Sequence, residues 1–126
     1  MYPPIFQIAT SSPAVVALLG ASPTRFWPFD VAPGPNQPGY AVPYAVHQLA
    51  YGTPENTLSC SPDTDLLGVQ VDVYAGSATQ ARTVAAALRD AIEGSGAIIS
   101  AWNGEFWERD PDLYRVSMTA EFWNDR

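Results

Sequence analysis

The sequence predicts a single α+β domain in which an antiparallel sheet carries helices packed on one of its faces. Its length of 126 residues is that of one compact domain. Apolar residues make up 47% of the chain, which is more than a disordered polar chain contains. Stretches with the two-residue alternation of strands are mixed with stretches of helical period, in the order α-β-β-β-α-β-β. Because several strands follow one another without an intervening helix, this order favours antiparallel pairing.

The first element, residues 3–19, is predicted to be helical in two pieces. Apolar side chains between positions 5 and 9 give the first piece one buried stripe. Ser12 is a suitable N-cap for the second piece, and Pro13 follows at the first helical position, where its missing N–H costs nothing. Gly20 is the type of residue that ends a helix, so we expect the second piece to stop there.

Two strands and two loops are predicted to follow. Residues 25–31 are rich in aromatic side chains, but Pro28 restricts this strand to a sheet edge or a bulge. A surface loop at 33–39 contains proline and glycine and leads to a second strand at 40–51. The polar residues 52–65 are predicted to form a long surface loop, and loops of this length are usually functional or disordered.

A third strand and the clearest helix of the sequence come next. Residues 67–75 alternate, with three valines on one face and polar residues on the other. Ser77 and Gln80 have the spacing of a capping box, and Gly94 is predicted to end the helix in the C′ position. Between them, the apolar face of the helix is formed by Ala78, Ala81, Val84, Ala85, Leu88, Ala91 and Ile92.

The last third of the sequence predicts a long hairpin. Its strands are residues 97–108 and 113–123, and residues 109–112 have the chemistry of a turn. We expect a bulge at Asn103 and Gly104, because a turn there would leave too short a strand. In the second strand, alternate residues 114–122 are apolar and the residues between them are polar, which predicts a half-exposed sheet.

The charge composition excludes several classes of protein. Six arginines, no lysine and 13 acidic residues give a net charge of −7, and charged residues make up only 15%. This is not the basic footprint of a protein that grips nucleic acid. The longest apolar run, 14–21, is much shorter than the roughly 20 residues of a membrane span and follows no basic stretch, so neither a membrane helix nor a signal peptide is expected. Cys60 is the only cysteine, which fits a reducing compartment.

Candidate catalytic residues are few. His47 is the only histidine, so a Cys-His pair would have to join it to Cys60, and no nucleophile-elbow motif is present. Glu105 and Glu108 are a carboxylate pair that could serve glycosidic chemistry, although the aromatic residues between them are typical of a sheet. We therefore assign no catalytic residue and keep a small hydrolase as an alternative.

Candidate metal and phosphate sites are incomplete. Asp63 and Asp65 begin like a calcium loop, but Tyr74 stands where the bidentate glutamate belongs. Gly34 and Gly39 have the spacing of a phosphate loop without its lysine. One histidine and one cysteine cannot build a zinc site within the chain. The sequence predicts no metal and no cofactor.

The predicted hairpin contains more aromatic side chains than the core of a two-layer monomer is expected to bury. Enrichment in tryptophan, tyrosine and arginine with depletion of lysine is the composition of protein interfaces. Self-association is therefore predicted, while a core unusually rich in tryptophan remains an alternative explanation of the aromatic content. A monomeric ligand-binding α+β domain is a further alternative for the function. The candidate interface residues are Trp102, Trp107, Tyr114, Trp123, Arg82 and Arg89.

Several segments, in their order and spacing, resemble the tail-completion (tail-terminator) proteins of long-tailed bacteriophages. The resemblance covers nearly the whole chain and is weakest at residues 25–39, where the proline-rich run is more elaborate than expected for the family. The segments that carry it are MYPPIFQ (1–7), AVVALLG (14–20), PYAV (43–46), GTPEN (52–56), VQVDVYA (69–75), ARTVAAALRDAI (81–92) and DPDLYRVS (110–117).

The resemblance implies a structural virion protein with an α+β fold and no enzyme activity. Such a protein assembles in the host cytoplasm as a homo-oligomeric ring, typically a hexamer, at the head-proximal end of the tail. It binds the tail tube protein, stops tail growth and presents a surface to the head–tail connector or neck protein. No catalytic residue can be transferred to this sequence, because the family is recognised by its scaffold. The alternative within the same particle is a neck or head-completion ring protein.

An acidic ring also suits a channel through which DNA passes without specific binding. A lumen lined by carboxylates repels phosphates, whereas lysines would hold them. We expect Glu55, Asp63 and Asp65, in the predicted loop, to face the lumen or the tail tube.

Overall fold

Five strands form one sheet, and three helices pack on one of its faces. The computed structural model describes residues 2–29, 31–56, 58, 60–109 and 111–126. The element order confirms the predicted α+β class with helices on one face. The elements are α1 (Ile5–Thr10), α2 (Pro13–Leu19), β1 (Phe26–Pro28), β2 (Tyr44–Pro54), β3 (Thr64–Ala75), α3 (Ala78–Gly94), β4 (Ile98–Glu108) and β5 (Leu113–Asp125).

The strand order across the sheet is β1-β2-β3-β5-β4. The pairs β2–β3, β3–β5 and β4–β5 are antiparallel, as predicted. The short edge strand β1 differs, because it runs parallel to β2. A parallel neighbour requires a crossover instead of a tight hairpin, and the proline-rich connection between β1 and β2 provides it. Pro28 ends β1 at the sheet edge, where a missing N–H is tolerated.

The helix caps follow the sequence closely, with one correction. The Ser12 hydroxyl accepts a hydrogen bond from the Val15 amide at 3.3 Å, and Ser77 caps α3 in the same way. Gly94, predicted as the C′ residue, is instead the last residue of α3, and the positive φ of 97° belongs to Gly96. The helix thus extends through Gly94, and Ser95, in a right-handed conformation, is its C-cap.

The predicted loop at 52–65 is shorter than expected. Strand β2 continues to Pro54 and β3 begins at Thr64, so the loop spans residues 55–63, and its Thr57 and Ser59 lie outside the described residues. The two strands remain paired in this region, with Gly52 opposite Leu67 and Tyr51 opposite Gly68. The polar segment 52–65, which was predicted to be a loop, thus includes the ends of two paired strands.

The core lies between the sheet and the helices. Strand β3 is central and contributes three fully buried valines, as its alternation predicts. Strand β5 adds Val116, Met118 and Ala120, and α3 covers both strands with its apolar stripe. The other face of β5 was predicted to be half exposed, yet Ser117 and Thr119 are buried. Both accept hydrogen bonds from the Asn103 amide, which lies over them.

The bulge predicted in β4 is confirmed. The register between β4 and β5 shifts between Trp102 and Gly104, and Gly104 has a φ of 123°, which favours glycine. At the end of the hairpin the Trp107 indole donates a hydrogen bond to the Asp112 carboxylate at 2.7 Å. Asp110, predicted as a turn residue, lies outside the described residues. Within the described residues, none of the helices is both long and apolar enough to cross a membrane.

Candidate functional site

The outer strand β4 exposes large apolar side chains on both of its faces. Trp102 and Trp107 point to the helical side, and about half of each side chain is exposed (51% and 53%). Ile98 and Phe106 lie on the opposite face and are exposed to 55% and 43%. In the described part of the chain, no strand pairs with the outer edge of β4. A long edge of this kind without lysine or proline is an unprotected template for association.

A groove runs between α3 and β4 on the helical side. Its floor is apolar and consists of Ala85, Ala86 and Val116, with Trp102 at one end. Trp107 and Tyr114 line its continuation. The two connected depressions have volumes of about 350 and 250 Å³. We call this surface the tryptophan groove; it is lined by Arg82, Ala85, Trp102, Glu105, Trp107, Tyr114 and Val116.

An ion pair crosses the middle of the tryptophan groove. Arg82 on α3 donates two hydrogen bonds to Glu105 on β4, at 2.6 and 2.7 Å. This bidentate contact lowers the pKa of the Glu105 carboxyl and raises the pKa of Arg82. Because both groups are exposed, the pair adds little to stability and mainly fixes the position of the two side chains. The pair also neutralises the charge within the groove.

The structure brings five of the six predicted interface residues to one side of the molecule. Arg82, Trp102, Trp107 and Tyr114 line the tryptophan groove, and Arg89 lies beside it, 2.9 Å from Asp90. The sixth, Trp123, is at the far end of β5, beside a separate depression that includes Pro4, Ile8 and Phe122.

The three predicted lumen residues lie where the β2–β3 hairpin ends. Glu55 and Asp63 are exposed, and the Glu55 amide donates to the Thr64 carbonyl. Asp65 differs, because its carboxylate accepts two hydrogen bonds from Arg126, at 2.9 and 3.1 Å. These bonds lower the pKa of Asp65. Asp65 therefore ties the C-terminal end of β5 to β3, and Glu55 and Asp63 are the more accessible acids.

A polar network on the helix-free face was missed by the sequence reasoning. Arg115 lies 2.9 Å from Glu108 and 3.6 Å from Asp72, and its guanidinium stacks 4.4 Å from the centre of the Phe106 ring. Asp72 is buried and accepts a hydrogen bond from Gln70 at 3.0 Å. The sequence feature that could have indicated this network is Asp72 in the middle of a valine-rich strand, since a buried acid needs a cationic partner.

The candidate catalytic pairs are not brought together. His47 is buried between Tyr2 and Phe26; its Nδ1 is 2.7 Å from the Tyr2 hydroxyl, and its Nε2 has no hydrogen-bond partner among the described residues. Neither nitrogen therefore contacts the exposed Cys60.

The carboxylates of Glu105 and Glu108 project to opposite faces of β4. Glu105 is bound to Arg82 on the helical side, and Glu108 is bound to Arg115 on the other side. The two groups do not flank a common space, which glycosidic chemistry requires. The described residues contain no group of three or more histidine, cysteine, aspartate or glutamate side chains that could hold a metal ion.

Comparison with known proteins gives a family and a fold relative. A family model described as "Tail completion protein gp17" matches residues 3–125. A chain from a solved structure entitled "Virion of native gene transfer agent (GTA) particle" superposes with a TM-score of 0.71. The two sequences are 17% identical, and the alignment covers 97% of this chain and 92% of the other. Among curated proteins, none matches this sequence.

Proposed function

Because this chain belongs to the tail completion protein gp17 family, we propose that it caps the phage tail tube as a homo-oligomeric ring and thereby ends tail growth. As a member of this family, the chain is a structural protein of the phage tail and is located in the virion. The ring, which the family resemblance puts at six subunits, lies at the head-proximal end of the tail. It acts without catalysis and presents a surface that joins the head connector.

The exposure of apolar side chains on β4 is the structural observation that supports the proposed ring. We expect an edge strand with apolar side chains on both faces to be covered by a partner, because contact between these side chains and water is unfavourable. The tryptophan groove has the aromatic and arginine composition of an interface core. We therefore assign Trp102, Trp107, Tyr114, Arg82 and Arg89 to one subunit contact, and Trp123, beside its separate depression, to a further subunit contact.

The acidic end of the β2–β3 hairpin is assigned to the lumen or the tail tube. Glu55 and Asp63 are exposed there, and Asp65 anchors the first residues of β3 through Arg126. Carboxylates on the channel wall repel the phosphates of passing DNA, so the DNA slides without specific binding. The tail tube protein and the connector are the partners of the two ends of the ring.

Imaging of particles made without this protein tests the proposal. Overlong tails without heads, in negative stain, are the expected result, because nothing then stops polymerisation of the tube. Normal tails beside leaking heads would instead assign the protein to the neck. Wild-type protein supplied in trans should restore tail length.

Supplying a Trp102→Ala/Trp107→Ala variant in trans tests the interface within the same assay. Both side chains are half exposed, so the fold should survive their truncation. We expect this variant to fail to restore tail length. A His47→Ala variant that loses a measurable hydrolytic turnover, but not assembly, would favour the small-hydrolase alternative.

A further inference from the structure

The two halves of the sequence differ sharply in charge. Residues 1–54 contain one arginine and one aspartate, whose charges cancel, so residues 55–126 carry the whole net charge of −7. Arg25, the arginine of the first half, donates hydrogen bonds to the carbonyls of Pro43 and Leu18. The edge of the sheet at β1 is therefore nearly free of charged side chains.

This uncharged edge also exposes apolar side chains. Phe29 and Val31, just after β1, are each 63% exposed, and Val42 is 37% exposed. Val31 and Val42 belong to residues 31–43, which Phe29 precedes; we call these residues the proline loop, and it contains Pro33, Pro35, Pro38 and Pro43. The sheet order places β1 and β4 at opposite edges. Each edge of the sheet thus carries a patch of exposed apolar side chains.

The proline loop is held in a compact shape by its own hydrogen bonds. The Gln37 amide donates to the Gly34 carbonyl at 2.9 Å, and the Gln37 side-chain oxygen accepts from the Gly34 amide at 2.6 Å. Tyr40 adds a third bond, to the Gln37 carbonyl. A loop ordered by proline and by internal bonds loses little conformational entropy when it binds. It is thus suited to insert into a groove.

The tryptophan groove has the chemistry to receive such a loop. A groove lined by aromatic rings can bury apolar side chains of a partner, and Trp102, Trp107 and Tyr114 line this one. Its lining acid, Glu105, is neutralised within the subunit by Arg82. Two copies that each carry a net charge of −7 repel each other, and contact between a neutral edge and a neutralised groove minimises that cost.

We propose that the proline loop of one copy inserts into the tryptophan groove of the next copy. The inference rests on the proposed ring and names the two surfaces that build it. Because the two patches differ and lie at opposite edges, the contact is head-to-tail, which is the geometry that closes into rings. Side-chain packing carries the contact, since Pro28 lacks the N–H that would extend the sheet beyond β1.

Mixing two variants tests the pairing. The groove variant is Trp102→Ala/Trp107→Ala, and the loop variant is Phe29→Ser/Val31→Ser; all four side chains are exposed. We expect each variant alone to be monomeric by sedimentation velocity at concentrations where the wild type forms rings. An equimolar mixture should give a dimer and nothing larger, because it retains one intact loop–groove contact. Circular dichroism and thermal melting verify that both variants are folded.

The outcomes separate the pairing from the ring itself. If the wild type forms rings and either variant still does, or if the folded variants stay monomeric when mixed, the pairing is wrong and the ring stands. A wild type that forms no ring even on tail tubes would refute the proposed function. A control variant, Thr79→Ser on the exposed N-terminal turn of α3, should assemble with less than a twofold change in midpoint concentration.

Assembled particles provide a second readout, independent of ring formation in solution. In a Cys60→Ser background, Val31→Cys and Trp102→Cys place one thiol on each surface, and a short bis-maleimide should link successive subunits into a ladder. Each single-cysteine variant should give no ladder. Absence of a ladder from the double variant in particles of normal tail length would overturn the pairing.

Discussion

Gly68 in the central strand β3 makes room for an aromatic ring. It lies opposite Tyr51, and a Cβ added at Gly68 would overlap the Tyr51 ring. The Tyr51 hydroxyl reaches across β3 to donate a hydrogen bond to Glu121 on β5. The tyrosine thus covers the glycine and connects three strands, an arrangement known to compensate for glycine in a sheet.

We predict that Gly68→Ala displaces the Tyr51 ring and breaks its bond to Glu121. The expected loss of unfolding free energy is roughly 1–2 kcal/mol, the usual cost of forcing a side chain into an occupied site. Chemical denaturation measures it, and Gly76→Ala is the matched control, because a Cβ at Gly76 meets nothing within 4 Å. Equal losses in the two variants would contradict the role given to Tyr51.

His47 is a buried base whose protonation opposes folding. Burial lowers its pKa from 6.5 to about 4. In the unfolded chain the imidazole takes up its proton below about pH 6.5, whereas in the folded chain it does so only below about pH 4. Between these values the unfolded state binds more protons, so stability is fully present above about pH 6.5 and falls as the pH drops.

We predict that acidification from pH 6.5 to 4 lowers the unfolding free energy by roughly 3 kcal/mol through His47 alone. Urea denaturation across this range measures the loss. His47→Phe removes the titrating group, and its stability should vary less with pH even if its absolute stability differs. Parallel pH profiles for the two proteins would show that His47 does not titrate in this way.

At the scale of elements, Arg115 ties the hairpin β4–β5 to the central strand. It contacts Glu108 on β4 and Asp72 on β3 from its position on β5. Removing it leaves the buried Asp72 carboxylate with Gln70 as its described partner. An uncompensated buried charge is costly, while replacement of a whole buried pair by apolar residues is often neutral.

We therefore predict that Arg115→Met lowers the unfolding free energy by roughly 2–3 kcal/mol and that Asp72→Leu in the same chain recovers most of the loss. Thermal denaturation of the single and double variants measures the coupling. Arg109→Met, in the hairpin turn, removes an exposed cation–π contact with Trp107 and should change stability by no more than about 1 kcal/mol. No recovery in the double variant would mean that Arg115 acts through packing on Phe106 alone.

Structural features that neighbouring residues determine could be predicted from the sequence. Features that depend on residues far away in the chain could not. Ser12, Ser77 and the β3 valines have roles that neighbouring residues determine. The parallel direction of β1 depends on where the proline loop takes the chain, which no periodicity records. Four residues of the tryptophan groove, Arg82, Trp102, Trp107 and Tyr114, were interface candidates from the sequence, but the groove itself forms only because α3 and β4 lie side by side. The burial of Ser117 and Thr119 likewise depends on Asn103 in another strand.

At the scale of the molecule, the exposed acids of the β2–β3 hairpin and the apolar patches at the sheet edges occupy different surfaces. The apolar patches lie at the two sheet edges, whereas Glu55 and Asp63 lie at the end of the β2–β3 hairpin. A ring closed through its edges leaves that end free to meet the tail tube or the channel. The absence of lysine is consistent with this division, because lysine would both protect the edges from association and bind DNA.

A charge reversal in the hairpin tests whether its acids face the DNA. In the proposed ring, Glu55→Lys places one cation per subunit on the channel wall, where it attracts phosphates. We predict slower DNA release from otherwise normal particles, most marked at low salt and relieved as salt screens the attraction. Release is followed by the fluorescence of a DNA-binding dye after triggering of the particles. Glu93→Lys makes the same change of charge on the exposed end of α3 and is expected to leave release unchanged. If the two variants slow release equally, net charge and not the position of Glu55 governs it, and the hairpin then faces away from the channel.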